Sequence, residues 1–262
     1  MQDTETTTDS FRSYDEHQTD HVANFYRDNH RFQTLAFAQQ KLAEYGPLNR
    51  ATMSTWEAIS TLDSISDDSD PDTELSQLDH LLQTAEAIRA AGQPRWLQLT
   101  GLIHDLGKVL CLFREPQWAV VGDTFPLGCR FSEDIIYHQY FKDNPDTLSA
   151  SYQTEIGIYE RHCGLDQVTM SWGHDEYLYQ VMKAFLSPEA LFVIRYHSFY
   201  SAHQAGNYGY LMSKEDHKMM QWVRLFQPYD LYSKSDLPPD RTELLQYYQG
   251  LVAEFLPAAI KW

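Results

Sequence analysis

Six side chains of metal-ligand type are spread along the sequence: His80, the adjacent pair His104-Asp105, His174, His197 and Asp230. Each stands on or at the end of a predicted helix among apolar or small neighbours, in the order H…HD…H…H…D. Neutral imidazole and carboxylate are ligands that suit iron, manganese or zinc. An adjacent His-Asp pair suits a centre of two ions. On a helix the two side chains project about 100° apart, so Asp105 can bridge to a second ion while His104 holds the first. Ligands delivered by separate helices also make a rigid site. A lone histidine on a helix is more often an ordinary surface or core residue, and His138, His162, His203 and His217 are read that way. Asp175, which repeats the pair after His174, is read as an acidic residue serving a helix start. The ordered set is much more specific than any member of it.

The elements that must carry these residues follow from apolar periodicity. The stretch LTGLIHDLGKVLCLF (99–113) reads as a helix with Leu102, Leu106, Val109 and Phe113 on one stripe. Gly101, His104, Asp105 and Lys108 form a second stripe on roughly the opposite side, with Gly101 small enough to let another element approach closely. A helix over about 18–45 is expected to stop at Gly46, and a second covers ATMSTWEAISTLDSI, with Thr52 or Ser54 as cap. A third runs over about 76–91. Further helices are expected near 132–142, 151–162, 174–186, 188–201 and 214–232, with Ser187-Pro188 as cap and first helical residue. The loop PQWAVVGDTFPLGCRF carries one short extended piece at most. Long β-branched alternation is absent, so the expected fold is all-α with little or no sheet.

A length of 262 residues suffices for a real core, and 43% apolar residues mark a globular chain. No repeat or low-complexity linker divides it. One domain over 11–262 is expected, preceded by a disordered polar tail at 1–10. The formal net charge of −17 repels phosphate backbones and anionic membrane surfaces. No apolar run approaches the ~20 residues of a bilayer span, and the acidic start lacks a secretory signal pattern. Cys111, Cys129 and Cys163 lack metal-type spacing and read as reduced thiols. A cytoplasmic monomer with no nucleic-acid or membrane partner is expected.

The acidic run DDSDPDTELSQLD imitates a calcium loop. It has Thr73 where that loop needs Gly and Asp79 where it needs Glu, so a solvated acidic turn is the better reading. Asp67 to Ser69 could alternatively line a pocket for a polar substrate.

Taken together, LIHDLGK, DSDPD, WAVVGDTFPLGCRF, SWGHDEYLYQV, RYHSFYSAH and DLYSKSD closely resemble the myo-inositol oxygenase family, the di-iron branch of the HD-domain superfamily. The similarity runs from about residue 11 to the C-terminal IKW. It implies an all-helical HD-domain bundle with extra N-terminal helices and two iron ions. One iron would be held by His80, His104, Asp105 and Asp230. The other would be held by His174 and His197, with Asp105 bridging. The implied reaction is a four-electron, ring-cleaving oxidation of myo-inositol by dioxygen to D-glucuronate, in a mixed-valent Fe(II)/Fe(III) state. Arg12, Asp67, Asp68, Ser69, Lys108, Gly122, Asp123, Ser198 and Lys234 match the family's substrate-contacting positions, Asp68 standing where many members have Glu. Lys108, one turn beyond His104, would offer its ammonium to a substrate oxygen and, with Asp105, serve catalysis.

Two other classes fit parts of the pattern. An HD-domain phosphohydrolase needs only H…HD…D but would favour bases converging on phosphate, whereas Asp67, Asp68 and Asp123 repel it. A polyol-binding scaffold without turnover predicts a missing ligand, and none of the six is missing.

Overall fold

A computed structural model describes residues 20–62, 65, 67–69, 76–232 and 241–262. The tail at 1–10, Arg12, Lys234 and residues 70–75 of the acidic run lie outside the described residues. Within them the chain is a helical assembly with one two-stranded ribbon. Among the described residues no helix is long and apolar enough to cross a membrane.

The expected helix at 18–45 is two helices, α1 (Asp20–Phe32) and α2 (Leu35–Tyr45). Thr34 is extended and its hydroxyl accepts from the Phe37 N–H, so it caps α2 instead of continuing α1. Thr52–Met53 forms β1 rather than a helix start, and α3 (Thr55–Leu62) begins after Ser54. Ser54 and Glu57 close a reciprocal capping box, with Ser54 N–H to Glu57 at 2.7 Å and Glu57 N–H to Ser54 Oγ at 3.2 Å. α4 (Gln77–Ala90), capped by Ser76, folds back onto α5 (Arg95–Ile103). Their contact depends on Gly101: a Cβ there would lie 2.7 Å from Ile88 Cδ1 and 3.2 Å from Ala85 Cα. This is the close approach the sequence suggests.

Helices do not form at 132–142 and 151–162, where short 3-10 turns and bends replace them. Tyr137 and His162 adopt left-handed φ values of 51° and 60°, which an α-helix excludes. Gly157 has φ 59°, and a Cβ there would lie 1.9 Å from the Gly128 carbonyl oxygen. An isolated bridge between Pro126 and Met170 is the extended piece of this region.

The remaining helices are α6 (His174–Met182), α7 (Pro188–Tyr196), α8 (Tyr200–His203), α9 (Lys214–Tyr232) and α10 (Arg241–Phe255). α9 matches its expected span; α6 and α7 stop short of theirs. α10 is a helix that the periodicity does not predict. It buries Tyr248 and Leu251, and the Tyr248 hydroxyl donates to Glu86 at 2.7 Å. β2 (Ile260–Lys261) pairs antiparallel with β1, Met53 opposite Ile260, and this seats the wholly buried Trp262. The main core runs from α1 through α3, α4 and α5 to α6 and α10. The six ligand-type residues lie where α4, α5, α6, α7 and α9 come together.

Candidate metal centre

All six stand in first or last turns or at helix breaks. His80 is in the first turn of α4 and His174 is the first residue of α6. His197 caps the C-terminus of α7, and Asp230 lies in the last turn of α9, two residues after Pro228. The expected helix at 99–113 also breaks here. α5 ends at Ile103, His104 caps it, Asp105 leaves the helix at φ −95°, ψ 1°, and a 3-10 helix covers Leu106–Phe113. Neither predicted stripe faces water: Leu102, Leu106 and Val109 lie in the apolar core, and His104, Asp105 and Lys108 in the polar site. Both His104 and Leu106 are buried. Gly107, just past the break, lets the chain approach α6: a Cβ there would lie 2.0 Å from the His174 carbonyl oxygen.

The donors form two groups that share one carboxylate. In the first, His80 and His104 bring their Nε2 atoms to 3.4 Å, and each lies 3.2 Å from Asp230 Oδ1. Asp105 Oδ2 is 3.7 Å from His80 Nε2 and 3.5 Å from His104 Nε2. In the second, His174 and His197 bring their Nε2 atoms to 3.3 Å, with Asp105 Oδ1 at 3.4 and 3.6 Å. Asp105 thus turns one oxygen to each group, as a bridging ligand must.

Three of the imidazoles have a defined outward side. His104 Nδ1 faces the Gly101 carbonyl at 2.9 Å, His174 Nδ1 that of Val120 at 2.8 Å, and His197 Nδ1 that of Ile194 at 2.9 Å. A carbonyl only accepts, so each Nδ1 carries a proton, and the tautomer this fixes is the one whose neutral form presents an Nε2 lone pair inward. The His174 and His197 Nε2 atoms, 3.3 Å apart, both face Asp105, so one cation between them can engage both nitrogens and that carboxylate at once. Neighbouring donors around an ion bonded at about 2.1 Å stand about 3 Å apart, close to the spacings here. The residues fit metal ions, and a nitrogen and carboxylate set without sulfur suits iron, manganese or zinc.

Charge is balanced within the buried site. Burial opposes ionisation of Asp105, but Lys108 and His104 hold its pKa well below the usual carboxylate range. Burial likewise opposes charge on Asp230, and His104 and His80 outweigh it. Burial would strip the proton from Lys108, yet Asp105 and Asp67 raise its pKa. Its Nζ lies 2.8 Å from an oxygen of each.

The family profile for myo-inositol oxygenase matches residues 19–262. The chain is 50% identical to inositol oxygenase 1 of Arabidopsis thaliana, over 97% of this chain and 84% of that protein. It is 48% identical to the human inositol oxygenase, over 97% and 91%. With the Dictyostelium discoideum inositol oxygenase the figures are 47%, 97% and 90%. The chain belongs to the myo-inositol oxygenase family.

The substrate-contacting positions that the family resemblance implies are distributed unevenly. Lys108 reaches Asp67, whose Oδ1 accepts from the Ser69 N–H at 2.9 Å and hydroxyl at 2.6 Å. Ser198 Oγ is 3.4 Å from His174 Nε2. Asp123 accepts from the Tyr26 hydroxyl at 3.2 Å, and Gly122, at φ 94°, leaves room for the Phe25 ring. Asp68 instead pairs with His21 on α1, at 3.2 Å. Sequence reasoning missed Asp175, which does stand in a first turn but is 1% exposed and lies 2.9 Å from His174 Nε2. The repeated His-Asp pair was the available signal. It also missed His203, buried with Nε2 2.9 Å from the His197 carbonyl oxygen, for which the sequence offers no signal.

Proposed function

We propose that this member of the family is an inositol oxygenase, converting myo-inositol and dioxygen to D-glucuronate and water. The reading is supported above all by the two imidazole pairs that share Asp105. His80, His104, Asp105 and Asp230 would hold one iron ion; His174 and His197, with Asp105 between, would hold a second. Two irons cycling through a mixed-valent Fe(II)/Fe(III) state would supply dioxygen binding and take part in the four-electron oxidation.

The chain's own residues orient and enclose the substrate. A cyclic hexol is neutral, so recognition falls to hydrogen bonds. Lys108 donates from a buried ammonium, while Asp67, Asp123 and Ser198 offer oxygens. Gly122, Ser69, Arg12, Asp68 and Lys234 complete the proposed contact set. Lys108 stays charged against burial because Asp67 and Asp105 flank it, so it can stabilise negative charge developing on a substrate oxygen. Deep burial of His104, His174 and His197 excludes bulk water from the reacting centre. Residues 11–262 are read as one domain acting as a cytoplasmic monomer. Its three cysteines are unpaired, as reduced thiols would be.

The test is stoichiometric. Partly reduced, iron-loaded protein should consume one dioxygen per myo-inositol and form glucuronate with one oxygen from labelled dioxygen. Zinc-loaded protein should be inert, because zinc does not change oxidation state. Product formed without dioxygen would overturn the assignment.

A further inference from the structure

Asp175 ties three segments of the site together. Its Oδ2 accepts from the Thr124 hydroxyl at 3.0 Å and from the Ser198 backbone N–H at 3.3 Å. Its Oδ1 accepts from the Ser198 hydroxyl at 3.2 Å and also faces His174 Nε2 at 2.9 Å and His197 Nε2 at 3.3 Å. The Thr124 N–H in turn donates to the Ser198 carbonyl at 2.9 Å. One buried carboxylate therefore joins the start of α6, the loop carrying Gly122 and Asp123, and the turn carrying Ser198.

The polarity of these bonds has a consequence. An ionised carboxylate only accepts, whereas a hydroxyl has one proton and two lone pairs. Ser198 Oγ also lies 3.4 Å from His174 Nε2, but once that nitrogen coordinates a metal its lone pair is taken; the Ser198 proton then goes to Asp175 and Oγ can only accept from any further partner. We propose that Asp175 is a positioning residue that fixes Ser198 as a hydrogen-bond acceptor for a hydroxyl of the bound polyol and holds the Asp123 loop in the same frame. The inference rests on the reading of this site as a polyol site. In Asp175→Asn the amide can donate to Ser198 Oγ and compete for the lone pairs the polyol needs.

Anaerobic calorimetry of myo-inositol binding to the iron-loaded protein tests this, with iron counted per chain. Asp175→Asn and Ser198→Ala should each keep their iron and weaken binding about three- to tenfold, the worth of one hydrogen bond. The double variant should bind no more weakly than the weaker single variant, because both changes remove the same contact. A purely structural Asp175 would instead give lost iron with unchanged affinity in the iron-bearing fraction. Thr124→Val gives a second route if Asp175→Asn does not hold iron: it loosens the carboxylate without removing it and should also weaken binding non-additively with Ser198→Ala. Additive losses, or unchanged affinity in the variant that retains iron, overturn the inference alone. Failure of the wild-type protein to bind myo-inositol overturns the proposed function, and the inference falls with it.

Discussion

Replacing Lys108 by methionine should destabilise the metal-free protein about twice as much as the iron-loaded one. Lys108 is 6% exposed, and its ammonium sits 2.8 Å from both Asp67 Oδ2 and Asp105 Oδ2, with Gln77 Oε1 at 3.3 Å. Methionine fills similar volume but leaves two buried carboxylates without their cation. Removing one partner of a buried ion pair costs about 3–5 kcal/mol. For a chain of this size each kcal/mol moves the melting temperature by about 2–4 °C, so a fall of about 6–20 °C is expected without metal. Iron at the two sites would neutralise Asp105 and leave only Asp67 unpaired, and the fall should shrink by about half. Adding Asp67→Asn should recover most of the rest. Iron binding itself should survive, because Lys108 is not a ligand, while turnover falls about 10- to 150-fold through loss of a charge-assisted hydrogen bond. Differential scanning calorimetry of metal-free and iron-loaded variants reads the melting shifts, metal analysis the iron content and oxygen uptake the turnover. Equal falls in both forms, or none in the metal-free form, would show that the cluster is not held by Lys108.

Gly107→Ala should lose iron and soften α6, because its Cβ would meet the His174 carbonyl oxygen at 2.0 Å; normal iron content and melting would refute the contact. His30 gives a pH dependence. Burial, with a smaller contribution from His138, lowers its pKa from 6.5 to about 4 against a hydrogen bond to Ile136 that raises it. The folded state thus resists protonation, so stability is full above pH 6.5 and declines by about 3 kcal/mol as pH falls toward 4. His30→Gln should remove that portion of the acid limb in denaturant titrations at pH 7.5 and 4.5. Parallel acid limbs in the two proteins would contradict it.

The ligand types were legible because residue chemistry is written directly in the sequence. The backbone at those residues was not. Nothing between His104 and Asp105 marks a helix end, and the apolar stripe continues to Phe113 although the helix becomes 3-10 after Asp105. Thr34 carried a readable cap signal, but flanking apolar residues on both sides suggested a continuous helix. The false helices at 132–142 and 151–162 fail on left-handed Tyr137 and His162, residue types that do not advertise positive φ. α10 was missed because Gly250 interrupts its pattern, although Leu244, Tyr248, Leu251 and Val252 share a buried face.

The breaks at the two histidines have a common physical reason. In an unbroken helix the Gly101 carbonyl would accept from the Asp105 N–H, and the Ile194 carbonyl from the Ser198 N–H. Ending the helix frees those carbonyls, as every helix C-terminus does. Here each accepts instead from the imidazole three residues on, His104 Nδ1 and His197 Nδ1, both at 2.9 Å. The lost backbone bond becomes the bond that fixes the tautomer and aims Nε2 inward. At the second break the released Ser198 N–H passes to Asp175 at 3.3 Å. A continuous helix would satisfy the backbone equally well, but it would take from both imidazoles the acceptor that turns their lone pairs toward the shared Asp105.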